Sequence, residues 1–180
     1  MLAAVGVRAR AVASGVTEEL RDEVDPVRLA RRLALAKAKA VQGRHPEAWV
    51  LGADQVACDA QDRCEIWGKP LDPADHLARL QRMRGRTHVL ITGWSLLTPS
   101  TEISGFAETR MVVRADLGDA ELSAYVQTGE GSGCAAGYMA EGRGAFLFER
   151  MDGDWYNILG LPVLDVMGAL RGLGWRFDEC

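Results

Sequence analysis

The 180-residue sequence contains no apolar run that approaches the roughly 18 residues a helix needs to cross a bilayer, so no transmembrane span is expected. It lacks a basic excess: 21 Lys and Arg stand against 25 Asp and Glu, for a formal charge of -4. Polymeric nucleic acid is held by a basic face, so that class of partner is disfavoured, whereas a single nucleotide carried with a divalent cation is not. Histidine is scarce, and His45, His76 and His88 do not cluster, so no zinc site is expected. The four cysteines, Cys58, Cys64, Cys134 and Cys180, form no C-x-x-C pair and are spaced irregularly. They read as reduced thiols in a cytoplasmic protein. Also absent are G-x-x-x-x-G-K-[ST], a strand followed by G-x-G-x-x-G and a helix, and G-x-S-x-G. A Walker-type phosphate loop, a dinucleotide fingerprint and a Ser/His/Asp hydrolase therefore have no support. Internal repeats, low-complexity tracts and linkers are missing as well.

What remains is an ordinary globular composition, 48% hydrophobic and 26% charged, long enough for one domain with two lobes. Met1 to Val5 read as the tail of a helix stopped by Gly6, and Val7 to Ala13 as a strand. Asp25-Pro26 is a helix start, with an N-cap acid and Pro at the first helical position. That helix is expected to run to Val41, with Gly43 past its end. Its apolar stripe is Ala30, Leu33, Ala34, Ala38 and Val41. Lys37 lies on this stripe, whereas Lys39 is about 200° away on the helical wheel. Trp49 to Ala53 reads as a buried strand and Cys64 to Ile66 as a short returning one. Asp72-Pro73 opens a second helix that carries Leu77, Leu80 and Met83 and stops at Gly85. His88 to Leu97 and Phe106 to Arg114 read as long strands joined by a hairpin-like turn at 98–102. Asp119 to Val126 is a helix, 129–142 is Gly-rich and irregular, Ala145 to Phe148 is a strand, and Pro162 opens the last helix. The order is mixed α and β, with parallel and antiparallel strands expected in one sheet.

Four features carry candidate chemistry. Asp54 closes a buried strand, and ligands of open α/β sheets sit at the carboxyl ends of strands. An acid there can hold a cation or activate water; its structural alternative is a turn cap. Lys69, fixed between Gly68 and Pro70, can place a point charge on a phosphate or can be a solvated turn lysine. Lys37, a cation on an apolar stripe, needs a partner or a pocket, unless it snorkels along the helix. The segment 129–144 contains six glycines and can bring backbone N–H groups close to an anion or a base, or can be a plain loop.

Taken in order, these pieces resemble the Maf family of nucleoside triphosphate pyrophosphatases. The matching residues are Val16-Thr17-Glu18, the run LALAKA from Leu33 to Ala38, Gly52-Ala53-Asp54-Gln55-Val56 and Gly68-Lys69-Pro70. They continue with Gly85-Arg86-Thr87-His88 through Thr92-Gly93, and Tyr125 through Gly129-Glu130. Cys134-Ala135 through Glu141-Gly142 follow, and Asn157 through Gly160-Leu161-Pro162 close the series. Each piece is weak alone; their order across nearly the whole chain is specific.

The resemblance implies an α/β fold with an elongated mixed sheet flanked by helices, two lobes and a central cleft, similar to the inosine triphosphatase-like enzymes. It implies one domain over 1–180 that hydrolyses a small-molecule nucleotide to the monophosphate and pyrophosphate with Mg²⁺ or Mn²⁺. No membrane or polymeric nucleic acid is implied; a homodimer is. Carried over by position, Asp54 is the general base and a metal ligand, and Glu18 a second acid near the metal. Lys37 and Lys69 face phosphate, and Glu141 reads the base. The family's first strand and its Ser-x-x-Arg-Arg loop would lie before Met1. A form lacking them is expected to bind nucleotide with little or no turnover. Glu141 and Cys134 resemble the branch that favours 7-methyl-GTP, whereas GDWYNILGLP (153–162) resembles the branch with Gln at the base-reading position.

Overall fold

The computed structural model describes residues 1–17 and 24–177. Glu18, expected near a metal, and Cys180 lie outside the described residues.

Helix α1 (Pro26–Gln42) begins as the sequence dictates. The Asp25 carboxylate accepts from the backbone N–H groups of Val27 and Arg28, which otherwise have no intrahelical acceptor. Its buried stripe is Leu29, Ala30, Leu33, Ala34 and Ala38. Strand β1 (Val50–Asp59) is longer than expected. Because Val56, Ala57 and Cys58 continue the apolar run, the strand passes through Asp54 without stopping. Asp54 therefore sits mid-strand, paired with Gly93, and not at a strand's carboxyl end.

The short β2 (Ile66–Trp67) returns beside β1, and α2 (Pro73–Met83) follows, capped by the Asp72 carboxylate. Strands β3 (Thr87–Leu97) and β4 (Glu102–Val113) form a long hairpin; its turn, expected at 98–102, spans 98–101, because β4 begins at Glu102 and not at Phe106. Helix α3 (Asp119–Gln127) leads into the irregular glycine-rich segment. The strand expected at 145–148 is displaced. Arg143–Leu147 forms a 3₁₀ turn, and β5 (Phe148–Asp152) starts where the chain buries Phe148. A short α4 (Trp155–Ile158), not foreseen, precedes α5 (Val163–Gly172).

The five strands among the described residues form one sheet in the order β2-β1-β3-β4-β5, flanked by helices as expected of an α/β fold. Every pairing among the described strands is antiparallel, so the expected parallel component is not found there. The expected strand at 7–13 does not form. Residues 7–17 follow a 3₁₀ turn (Leu2–Val5) capped by left-handed Gly6, and they join no strand among the described residues. A strand needs a ladder partner for its backbone groups; here the Arg44 guanidinium donates to the Ala13 carbonyl instead, at 2.6 Å.

The sheet's two faces are covered differently. Val56 and Cys58 pack with Leu29, Ala30 and Leu33 beneath α1. On the opposite face, one cluster joins Trp94, Leu96 and Leu51 to α5. A second cluster joins Ala57, Leu90 and Met111 to α2 and α3. Two glycines set how closely α1 approaches. A Cβ on Gly52 would lie 2.4 Å from the Ala34 carbonyl oxygen, and one on Gly93 would lie 2.4 Å from the Ala30 carbonyl carbon. Only glycine allows helix backbone to rest on strand backbone at that distance.

Candidate active site

Close seating of α1 brings Lys37 to β1. Its ammonium donates to Asp54 Oδ1, and Asp54 is buried at 8% exposure. Lys37 thus meets a carboxylate and does not merely snorkel to solvent.

Asp54 and Gln55 serve opposite faces, as successive strand residues must. Gln55 Nε2 donates to Thr92 Oγ1 at 3.0 Å and to the Asn157 carbonyl at 2.6 Å. Asn157, fully buried on α4, donates in turn to Thr109 Oγ1 at 2.9 Å and to the Leu90 carbonyl at 3.4 Å. On α4, Asn157 stands between Tyr156, which packs with the α5 cluster, and Ile158, which packs with the α2 and α3 cluster.

A cavity of about 240 Å³ opens beside this polar chain, lined by Asp54, Gln55, Lys69, Cys134, Tyr138 and Glu141 among others. Three of the residues singled out in the sequence, Asp54, Lys69 and Glu141, therefore share one cavity. Lys37 is joined to it through Asp54. Glu18 lies outside the described residues, and no group of three His, Cys, Asp or Glu suited to a metal forms among those that are described.

The glycine-rich segment forms the cavity's far wall. Its geometry explains its composition at two positions. Gly131 has φ +80°, and a Cβ there would meet the Gly137 carbonyl oxygen at 2.5 Å. Gly137 has φ +79°, and its Cβ would press on the His76 ring at 3.1 Å and on Pro70 Cγ at 3.3 Å. Glu130 staples the segment's ends together. Its Oε1 accepts from the Gly144 N–H at 2.9 Å and from the Tyr125 hydroxyl at 3.1 Å. The bond from Gly144 is the main reason its carboxyl is held below the usual carboxylate range.

Charge in the cavity is visible in the Cys134 thiol. Burial pushes its pKa up, the Glu141 carboxylate adds to the rise, and the Lys69 ammonium opposes it. Behind the wall, His88 is buried with its Nε2 2.6 Å from the Tyr138 hydroxyl. Burial holds its pKa down at about 3, so the ring is neutral near pH 7.

Two supporting residues escaped the sequence reading. His76 and Arg79 lie on the buried face of α2 with Leu80 and Met83. The signal was present: polar residues on an apolar stripe, the same pattern that singled out Lys37.

Comparison with known sequences follows the same residues. The family profile described as Maf-like protein matches residues 1–173. A protein of Deinococcus radiodurans named dTTP/UTP pyrophosphatase is 39% identical over 174 residues, covering 97% of this chain and 87% of its own length. A protein of the same name from Thermus thermophilus is 40% identical over 176 residues, covering 98% and 89%. One from Geobacter sulfurreducens is 37% identical over 177 residues, covering 97% and 90%. With the profile spanning the helix that presents Lys37, the strand that holds Asp54 and the glycine-rich wall, the chain belongs to the Maf family.

Proposed function

We propose that this protein hydrolyses a nucleoside triphosphate to the nucleoside monophosphate and pyrophosphate. The observation that carries this reading is the shared cavity of Asp54, Lys69 and Glu141, with Lys37 bound to Asp54. The relatives named dTTP/UTP pyrophosphatase support it. Water attacks the α-phosphorus in line with the departing pyrophosphate. One P–O bond forms from the water oxygen, the bond from the α-phosphorus to the bridging oxygen breaks, and Asp54 accepts the water's proton. Little covalent work falls to the protein, so rate comes from placement and charge neutralisation. Lys37 orients the Asp54 carboxylate, and Lys69 offsets charge on the leaving pyrophosphate.

A divalent cation fits this donor set. Mg²⁺ is commonly held by one or two carboxylates together with substrate phosphates and water, so an all-protein cage is not required. Asp54 would provide one oxygen and Glu18 a second. The cation's contribution is neutralisation of phosphate charge.

Glu141 sets the base. A carboxylate accepts hydrogen bonds and donates none, which complements the N1–H and 2-amino donors of a guanine edge, including that of 7-methyl-GTP. The second reading is a pyrimidine substrate, favoured by the relatives' names. Pyrophosphate release from 7-methyl-GTP, GTP, UTP and dTTP tests both. A guanine preference of about tenfold or more in kcat/KM is expected. Preference for UTP or dTTP rejects the guanine assignment, and nucleotide binding without release from any of the four rejects hydrolysis.

A further inference from the structure

Lys69 sits on the irregular connection between β2 and α2, and Cys134 to Glu141 sit on an irregular segment. Neither stretch has a strand ladder or helix of its own to fix it. Something must hold the two at a constant distance if they are to grip two ends of one ligand.

Helix α2 bridges them. Arg79, buried at 8% exposure, donates from Nη1 to the carbonyl of Gly68, directly before Lys69. The same nitrogen donates to the carbonyl of Ala135, directly after Cys134, at 3.0 Å. Its Nη2 meets Asp75 Oδ2 at 3.2 Å, and that oxygen also accepts from the Leu71 N–H at 3.0 Å, beyond Pro70. One turn earlier on the helix, His76 Nε2 bonds the Gly137 carbonyl, directly before Tyr138. Pro70 and His76 both rest against the bare Cα of Gly137. The guanidinium thus ties the backbone beside the lysine to the backbone beside the far wall, and neither Arg79 nor His76 lines the cavity itself.

We propose that Arg79, seconded by His76, is a positioning residue that fixes the span between Lys69 and the Cys134–Glu141 wall. It acts through backbone carbonyls and touches no substrate. Only a planar, forked, multi-donor cation reaches two carbonyls and a carboxylate together, so lysine is an incomplete substitute. Burial of the guanidinium is tolerated because all three partners are acceptors.

This inference takes the hydrolysis reading for its kinetic consequence but not for its structural test. In a Cys64→Ser/Cys180→Ser background, Cys58 is fully buried and Cys134 reports on the wall. Arg79→Met should speed Cys134 labelling by a small maleimide about tenfold, with Arg79→Lys in between. Leu77→Ala, which loosens the same helix without touching the tie, should leave labelling near the parent rate. For the triphosphate, Arg79→Met should raise KM about tenfold while kcat stays within about threefold. An unchanged labelling rate in Arg79→Met overturns the proposal whether or not the protein turns over nucleotide. Equal labelling in Leu77→Ala overturns it as a general loosening of the helix. Faster labelling with unchanged KM overturns the role toward substrate. Faster labelling specific to Arg79→Met in a protein without turnover upholds the tie and rejects only the hydrolysis.

Discussion

Lys37 donates to Asp54 Oδ1, joining a half-buried lysine of α1 to a buried carboxylate in the middle of β1. Asp54→Asn keeps the shape and an acceptor oxygen but removes the charge and the basicity. Pyrophosphate release should fall by about 10²–10⁴-fold, the range assigned to a positioned general base. The circular dichroism spectrum should be unchanged. Retention of full turnover would remove Asp54 from the chemistry.

The contact depends on two glycines. Gly52→Ala would set a methyl 2.4 Å from the Ala34 carbonyl oxygen, and backbone on both sides leaves nothing to rotate away. The cost should be at least about 2 kcal/mol by urea denaturation, as for overpacked cores generally. Turnover should fall further than stability explains, because lifting α1 also lifts Lys37. Gly168→Ala on α5, with no atom within 4 Å of its new Cβ, is the matched control.

His88 gives the fold an acid limb. Its folded-state pKa is about 3, below the ordinary value near 6.5 for an unfolded chain, with burial the main cause and Asp59 opposing. The unfolded chain therefore takes up the proton first as pH falls. The contribution is fully present above about pH 6.5 and is lost progressively toward pH 3, on the order of a few kcal/mol in all. Thermal midpoints at pH 7 and pH 4.5 should differ less in His88→Phe/Tyr138→Phe than in the parent. The double change avoids stranding the Tyr138 hydroxyl. An equal difference in both proteins would place the acid limb elsewhere.

Asn157 must donate, since its amide nitrogen faces the Leu90 carbonyl and Thr109 Oγ1. Asn157→Asp, nearly isosteric, sets an acceptor against an acceptor and buries a charge. It should destabilise the protein by about 2 kcal/mol or more at pH 7. Part of this should return at pH 5, where a buried carboxyl is protonated and can donate. A loss independent of pH would contradict that account.

Much of this was legible in the sequence because the signals were local. Asp25-Pro26 and Asp72-Pro73 fix two helix starts within one residue of those observed. The period of the first helix turns Lys37 inward. Strand direction was not legible, since the composition of β1 is the same whichever way its neighbour runs. Asp54 looked like a strand end because an acid interrupts an apolar run. Only the ladder to β3 and the lysine above it make a mid-strand carboxylate tenable. The strand expected at 7–13 had the residues but no neighbour among the described residues. His76 and Arg79 were passed over because the wall carbonyls they reach, Gly137 and Ala135, lie 61 and 56 residues away, and backbone acceptors leave no mark in a sequence.

The ladder between β1 and β3 runs from Val50 opposite Leu97 to Asp59 opposite His88. A single codon lost ahead of Gly52 in β1 would put Gln55 in the place of Asp54, facing Lys37, and turn the acid to the opposite face; one gained there would put Asp54 in the place of Gln55, toward Thr92. Either change would also slide Gly52 out from under α1 and bring a side chain in its place. One frame-preserving indel would then disarm the chemistry and unseat the helix together, so this strand should accept substitutions at several positions but changes of length at none. The turn at 98–101, exposed at its tip, should be the place where length varies.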